Sequence, residues 1–365
     1  MKRFVSTLLV FSVAALAGCG VPAPSEPGKE QKSSGGAARE ITVAGNGGVI
    51  EKTIRDEIGP KFTEKTGIKV NYLAGLSGEI LSKVELQKNA PQIDLTLYVP
   101  LDVQRASQKG LAETLDDTII PNISQVDDRY TAFEKVGVPV FGYVIAPAYN
   151  TKSFEANGIA PIASWNDLIR PEYKGKTAYA DITNDNGFTI LYNLATANGG
   201  SLDDMEPGIA KAKELAAYSD TFYKNSTQIR PALQQGAADV TVMSSADIAQ
   251  VAVSGVPLKL VIPKEGAPMQ AMNATVVKNT PRKSEAEEFL NYLLSEEAQL
   301  QVAESGFYSV LKGAKVPEKY ASVTSLNESD PLFKPDFAKL SEIRAAMTDR
   351  WAKEVTPELG KKVKP

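Results

Sequence analysis

Beyond Glu40 the chain alternates short β-type runs with longer helical stripes, and this alternation confines it to an open α/β architecture. Residues 41–44 read as a strand. Ile50, Ile54, Ile58 and Phe62 recur at fourfold spacing, which predicts a helix over 49–66, interrupted late by Gly59-Pro60 and ended by Gly67. Strands are expected at 68–72 and 93–99. Ser77 is expected as the N-cap of a helix carrying Ile80, Leu81, Val84 and Leu86, and a further helix ends near Gly110. Residues 137–146 are β-rich and read as a first crossing between two lobes. A second α/β unit then follows, with strands at 176–181, 239–243 and 258–262 and helices near 188–197, 206–217, 227–235 and 246–254. Residues 271–277 read as the return crossing, and helices at 284–294 and 296–304 rejoin the first lobe. The expected division is 40–141 plus 269–365 for lobe 1 and 142–268 for lobe 2.

The N-terminal segment has another character. Lys2-Arg3 precedes an apolar run over 4–16 that is too short to span a bilayer, and Leu16-Ala17-Gly18-Cys19 closes it. This run resembles a bacterial lipoprotein signal. The likeness implies cleavage after residue 18, a lipid on the Cys19 sulfur, and an exported protein held at the membrane. Residues 20–40 are built from Pro, Gly, Ser, Ala, Lys and Glu and offer no apolar surface to bury, so 19–39 reads as a disordered tether. Such a segment reaches roughly 25 Å.

Composition removes several function classes. Net charge is −4 with no long basic run, which disfavours nucleic-acid binding. The chain has no histidine and a single cysteine, so disulfides, the usual zinc sites and His-dependent triads are all excluded. Two catalytic motifs are near misses. Gly75-Leu76-Ser77-Gly78-Glu79 lacks the last glycine of a nucleophile elbow, and Ile50 stands where a dinucleotide fingerprint after Gly45-Asn46-Gly47 requires glycine.

Four segments then carry a family likeness. They are Phe62-Thr63-Glu64-Lys65-Thr66-Gly67-Ile68-Lys69-Val70, Ser164-Trp165-Asn166-Asp167-Leu168-Ile169-Arg170-Pro171-Glu172-Tyr173-Lys174-Gly175-Lys176, Val261-Ile262-Pro263-Lys264-Glu265-Gly266 and Arg350-Trp351-Ala352-Lys353-Glu354-Val355. In this order, from about residue 41 to 355, the chain resembles the spermidine/putrescine-type solute-binding proteins of ATP-driven (ABC) importers. The resemblance implies a two-lobed periplasmic-binding-protein fold of type II. Each lobe would be a mixed α/β sheet flanked by helices, and a two-segment hinge would join them. It further implies a monomer without cofactor or catalysis that faces the periplasm or cell exterior and docks on permease subunits coupled to a cytoplasmic ATPase. The chain departs from the polyamine binders at two places. They carry tryptophan near Met243-Ser244 and aspartate near Met272-Asn273, and neither type is present here.

In open α/β folds ligands sit outside the carboxyl ends of strands. Those ends place Asn46, Gly47, Ser77, Ser245 and Asp247 at the candidate site, with glycine allowing close backbone approach and the serines expected to cap helices. Asp181 and Asp185 lie in the most polar short segment, ahead of a helix expected from Phe188, and either could pair with an ammonium group. Ile182 stands at the first position of any calcium loop registered on Gly187, which disfavours that metal. Tyr98 and Tyr143 fall near cleft edges where aromatic rings receive cations, and Asn273 joins them from the return crossing. Trp165 and Trp351 are assigned to packing. The expected solute is a polyamine or another small organic amine. An anionic solute such as a phosphonate or organic acid, held at helix N-termini, is the rival. A lipoprotein that senses solute for a signalling partner is the alternative of another class. Ferric iron ranks lower, because iron binders tend to present paired tyrosines and no Tyr-Tyr dipeptide occurs.

Overall fold

A computed structural model describes residues 39–130, 133 and 135–363. The signal, Cys19 and the tether expected over 19–39 lie outside the described residues, apart from Arg39. Strand β1 (Glu40–Gly45) pairs in parallel with β2 (Lys69–Ala74) and β3 (Leu95–Tyr98). Helix α1 (Val49–Lys52) runs through a π-helical turn (Thr53–Ile58) into α2 (Gly59–Thr66) without the expected break. Pro60 falls in the first turn of α2, where its missing N–H is no loss, and the wide turn before it absorbs the ring. Gly59 is required there, since a Cβ would stand 2.7 Å from the Ile54 carbonyl oxygen. Ile50, Ile54, Ile58 and Phe62 all face the core, and Gly67 ends the helix at φ 72°.

Helices α3 (Ser77–Leu86) and α4 (Pro100–Gln108) follow β2 and β3. The long strand β4 (Val138–Asn150) leads to α5 (Thr151–Ala156). The second unit comprises β5 (Thr177–Ala180), α6 (Asp185–Ala197), α7 (Glu206–Tyr218), β6 (Phe222–Tyr223), α8 (Ser226–Gln234), β7 (Val240–Ser244), α9 (Ser245–Val253) and β8 (Leu258–Leu260). Strand β9 (Ala267–Val276) returns the chain to α10 (Lys283–Leu293) and α11 (Glu296–Glu304). Helix α12 (Glu318–Thr324), β10 (Leu332–Phe333) and α13 (Phe337–Arg350) complete the described order, before a second π turn (Trp351–Val355).

Among the described residues the strands join in the order β2-β1-β3-β9-β4-β7-β5-β6, with β10 on β9 and β8 on β4. Two strands tie the halves together. β9 pairs antiparallel with β3 over 273–276 and with β4 over 269–274, while β4 continues past Val144 to pair with β7 and β8. Both strands are buried on both faces, which explains the largely apolar run of β4, whereas β9 also buries Gln270, Asn273 and Thr275. Gly142, still paired with Ala271 of β9, lies shortly before β4 changes partners. Its N–H donates to the Tyr308 carbonyl at 2.9 Å, and its carbonyl accepts from the Tyr308 N–H at 2.8 Å.

Both tryptophans are buried. Trp165 donates its ring N–H to the Gly266 carbonyl at 2.8 Å, and Trp351 packs on Phe222 with ring centroids 5.0 Å apart. Beyond Trp351 the chain stays against α7: Gly360 N–H donates to the Ala216 carbonyl and Lys362 N–H to that of Ala217. The last described residues therefore lie on an element expected in lobe 2, although the sequence places them with lobe 1. The driving contact is aromatic, and the Phe222 partner lies far away in sequence.

Candidate functional site

The segment between β5 and α6 is shaped by side chains that bond their own backbone. Asp181 Oδ1 accepts from the Thr183 N–H at 3.0 Å and from its hydroxyl at 2.6 Å. Asn184 Oδ1 then accepts from the Asn186 N–H at 2.9 Å and caps α6, which therefore starts at Asp185 rather than near Phe188. Gly187 lets the helix press on the strand end, because a Cβ there would sit 2.2 Å from the Asp181 carbonyl oxygen. Asp181 is thus occupied in turn formation. Asp185, in the first turn of α6, points elsewhere and pairs with Arg344 of α13 at 3.0 Å. Arg344 also donates to the Thr183 carbonyl at 3.0 Å, and its guanidinium lies 4.5 Å from the Phe188 ring centre.

These groups border a narrow crevice of about 10 Å³, lined by Leu101, Asp185, Phe188, Gln270, Phe337 and Arg344 among others. It lies between α4, the start of α6, β9 and α13. Tyr143 donates to Gln270 Oε1 at 3.4 Å, and burial pushes its hydroxyl pKa well above the usual phenol range. Tyr192, which also lines the crevice, is raised by burial as well.

On the β3 side, Ser77 is the first residue of α3 and not its cap. Leu76 precedes the helix, and its N–H donates to Glu79 Oε2 at 3.3 Å. The Ser77 hydroxyl instead accepts from the Val99 N–H at 3.2 Å. Asp102 is buried, and loss of solvent raises its carboxyl pKa against the opposing pull of Ser77 and of Arg105 at 3.1 Å. Tyr98 and Asn273 face each other across β3 and β9. The Tyr98 hydroxyl, Asn273 Oδ1 and Asn46 Oδ1 are buried without a hydrogen-bond partner. Asn46 follows the end of β1, the parallel neighbour of β3, and its carbonyl accepts from the Tyr72 hydroxyl at 2.7 Å. Gly47 lies beside it, 3.5 Å from Glu51 Oε2 to a Cβ position.

On the β7 side, Ser244 caps α9 by accepting from the Asp247 N–H at 3.1 Å, one residue before the expected Ser245. Ser245 is fully buried, and its hydroxyl accepts from the Val144 N–H at 3.2 Å. It therefore ties α9 to β4 rather than capping a helix. Asp247 is held by Arg230 and by the Ser244 hydroxyl. Arg344, Arg230, Asp102 and Gln270 were not among the residues expected from sequence. Arg344 lies 159 residues from Asp185 and Gln270 lies 127 from Tyr143, so no local pattern marks them, whereas Asp102 bonds Arg105 within one helical turn.

Residues 57–333 match the family model for bacterial extracellular solute-binding proteins. The chain belongs to this family. This solute-binding protein is 24% identical to iron uptake protein A1 of Synechocystis, over 92% of this chain and 95% of that one. It is 25% identical to the spermidine/putrescine-binding periplasmic protein of Escherichia coli K12, over 67% and 71%. A Salmonella typhimurium protein named for 2-aminoethylphosphonate binding is 23% identical, over 81% and 86%. Among solved structures, an ABC transporter protein of Clostridium perfringens superposes with a TM-score of 0.73 at 24% identity, covering 86% of this chain and 99% of that one. The solute-binding protein therefore has the two-lobed periplasmic-binding-protein fold, and it acts by binding rather than by catalysis. Solute-binding proteins of ABC importers work with permease and ATPase subunits. Among its described residues no helix is long and apolar enough to cross a membrane.

Proposed function

We propose that this receptor captures, between its lobes, a small organic amine that also carries an acid group. One observation supports the reading: two acids expected at the site already have arginine partners, Asp185 with Arg344 and Asp247 with Arg230, while Asp181 is taken up by its own turn. A polyamine brings several positive charges and no negative one, so closing over it would leave these arginines facing like charge in a desolvated cleft. A zwitterion can exchange partners instead. Its ammonium takes the carboxylate, its acid takes the guanidinium, and every charge stays paired. The relative named for 2-aminoethylphosphonate binding carries this kind of solute in its name.

The crevice holds only about 10 Å³ of internal space, room for about one water, so solute entry requires the lobes to part. Contacts from both lobes would then favour the closed form, which the permease reads. The lobe division remains 40–141 plus 269–365 against 142–268, with the C-terminal turns reaching across. On this reading Cys19 carries the lipid, with 19–39 as the tether.

The test is thermal unfolding of the purified protein with putrescine, spermidine, 2-aminoethylphosphonate, 4-aminobutyrate and phosphate, one at a time. A solute at about a thousand times its dissociation constant adds roughly 4 kcal/mol to stability. Stabilisation by the amino acids bearing both charges supports the reading. Stabilisation by polyamines alone, or by phosphate alone, refutes it.

A further inference from the structure

Helix α13 is anchored at both ends. Phe337 packs on Phe133 with centroids 5.7 Å apart, the Asp336 side chain accepts from the Lys339 N–H, and the helix runs directly into the buried Trp351. Arg350, in its last turn, grips Glu206 at 2.6 Å and Glu354 at 2.7 Å. Between these anchors Phe337, Leu340 and Arg344 line the crevice opposite Leu101 of α4 and Phe188 of α6. Arg344 is therefore a positioned charge and not a surface arginine that happens to reach inward. Its side chain is 14% exposed, whereas its partner Asp185 is 31% exposed and so remains reachable from the crevice.

Resting on the reading above, we propose that Arg344 sets the charge of the solute this receptor accepts. The arginine cancels Asp185 and stacks on Phe188, so the ring face that would take an ammonium is already covered by a cation. A second ammonium entering the crevice meets the guanidinium at close range, where solvent screens little. An acid group meets a fixed, planar donor pair. With arginine at 344 the crevice rejects diamines. With a neutral residue there, Asp185 and Phe188 become a carboxylate and an aromatic face aimed at one point, which is what an ammonium requires.

The experiment compares wild type with Arg344→Gln by isothermal titration against putrescine and 2-aminoethylphosphonate. Putrescine affinity should rise at least about tenfold in R344Q, and 2-aminoethylphosphonate affinity should fall about 100-fold, as expected when one partner of a desolvated charge pair is truncated. A putrescine affinity that is unchanged, lower or undetectable in R344Q overturns the inference. Wild-type preference tests the earlier reading separately: a wild type that prefers putrescine defeats the zwitterion, while the putrescine ratio between R344Q and wild type still decides the role of Arg344. Should circular dichroism show R344Q to be unfolded, Asp185→Asn gives the mirror readout. With Arg344 released, D185N should bind phosphate more tightly than wild type, and equal or weaker phosphate binding overturns the inference.

Discussion

Gly187→Ala should both destabilise the protein and weaken solute binding. The new Cβ would stand 2.2 Å from the Asp181 carbonyl oxygen, 2.5 Å from its carbon and 2.6 Å from the Ala180 oxygen. All three are backbone atoms, so no side chain can swing aside. Ordinary contact begins at roughly 3.5 Å, which forces α6 to retreat by about 1 Å from the end of β5. Overpacking of this kind costs about 1–3 kcal/mol. The retreat also strains the Asn184 cap, worth about 1 kcal/mol. The sum is about 2–4 kcal/mol, read as a fall in the urea midpoint of roughly 1 M. Asp185 and Phe188 ride on the same turn, so affinity should fall with stability. Gly158→Ala is the control: φ there is +63° and nothing lies within 4 Å of a Cβ, so only the left-handed strain of about 1–2 kcal/mol applies, with affinity untouched. A G187A variant within about 0.5 kcal/mol of wild type and with full affinity would refute the argument from close approach.

Gly142→Ala places a Cβ 2.2 Å from the Tyr130 hydroxyl oxygen and should cost about 1–3 kcal/mol; in a Tyr130→Leu background the penalty should largely vanish, and additive urea midpoints would sink this account. The raised carboxyl pKa of Asp102 means that the folded state holds its proton above the unfolded value near 4, so its contribution to stability falls as pH rises through that window. Asp102→Asn should flatten the fall, seen as melting temperature against pH. Ser245→Ala leaves the Val144 N–H without its acceptor and should cost about 1–3 kcal/mol while sparing affinity; lost affinity at full stability would return Ser245 to the solute site. Cys19→Ser should move the mature protein from the detergent phase to the aqueous phase in cloud-point partition, and no change would end the lipid-anchor proposal.

Much of the architecture was legible because periodicity carries it. The stripe of Ile50, Ile54, Ile58 and Phe62 fixed one helix face, and the β-rich run at 137–146 that became β4 stood out by its largely apolar character. Capping was read one residue late at Ser77 and Ser245. Ser244 and Ser245 are chemically equivalent in the sequence, and only the Val144 N–H, about 100 residues away, separates their roles. Gly59-Pro60 misled because a π turn can take in a proline that a regular α-helix interior would not. Of the residues expected at strand ends, Asp185 borders the crevice, but the arginines paired with Asp185 and Asp247 come from α13 and α8, and pairing across a fold leaves no mark on local pattern.

On the proposed lobe division, α13, which starts beside α4 and ends in turns packed on α7, is a third strut between the lobes besides β4 and β9. Two adjacent strands alone would act as a pivot that permits both swing and twist. A strut offset from that pivot removes the twist and sets a stop on the swing, as a stay does on a lid. The receptor should therefore move along one coordinate between two limits, and the permease meets a single closed shape. Cutting the strut between β10 and α13, around Lys334–Asp336, would free the second motion while leaving both sheets intact.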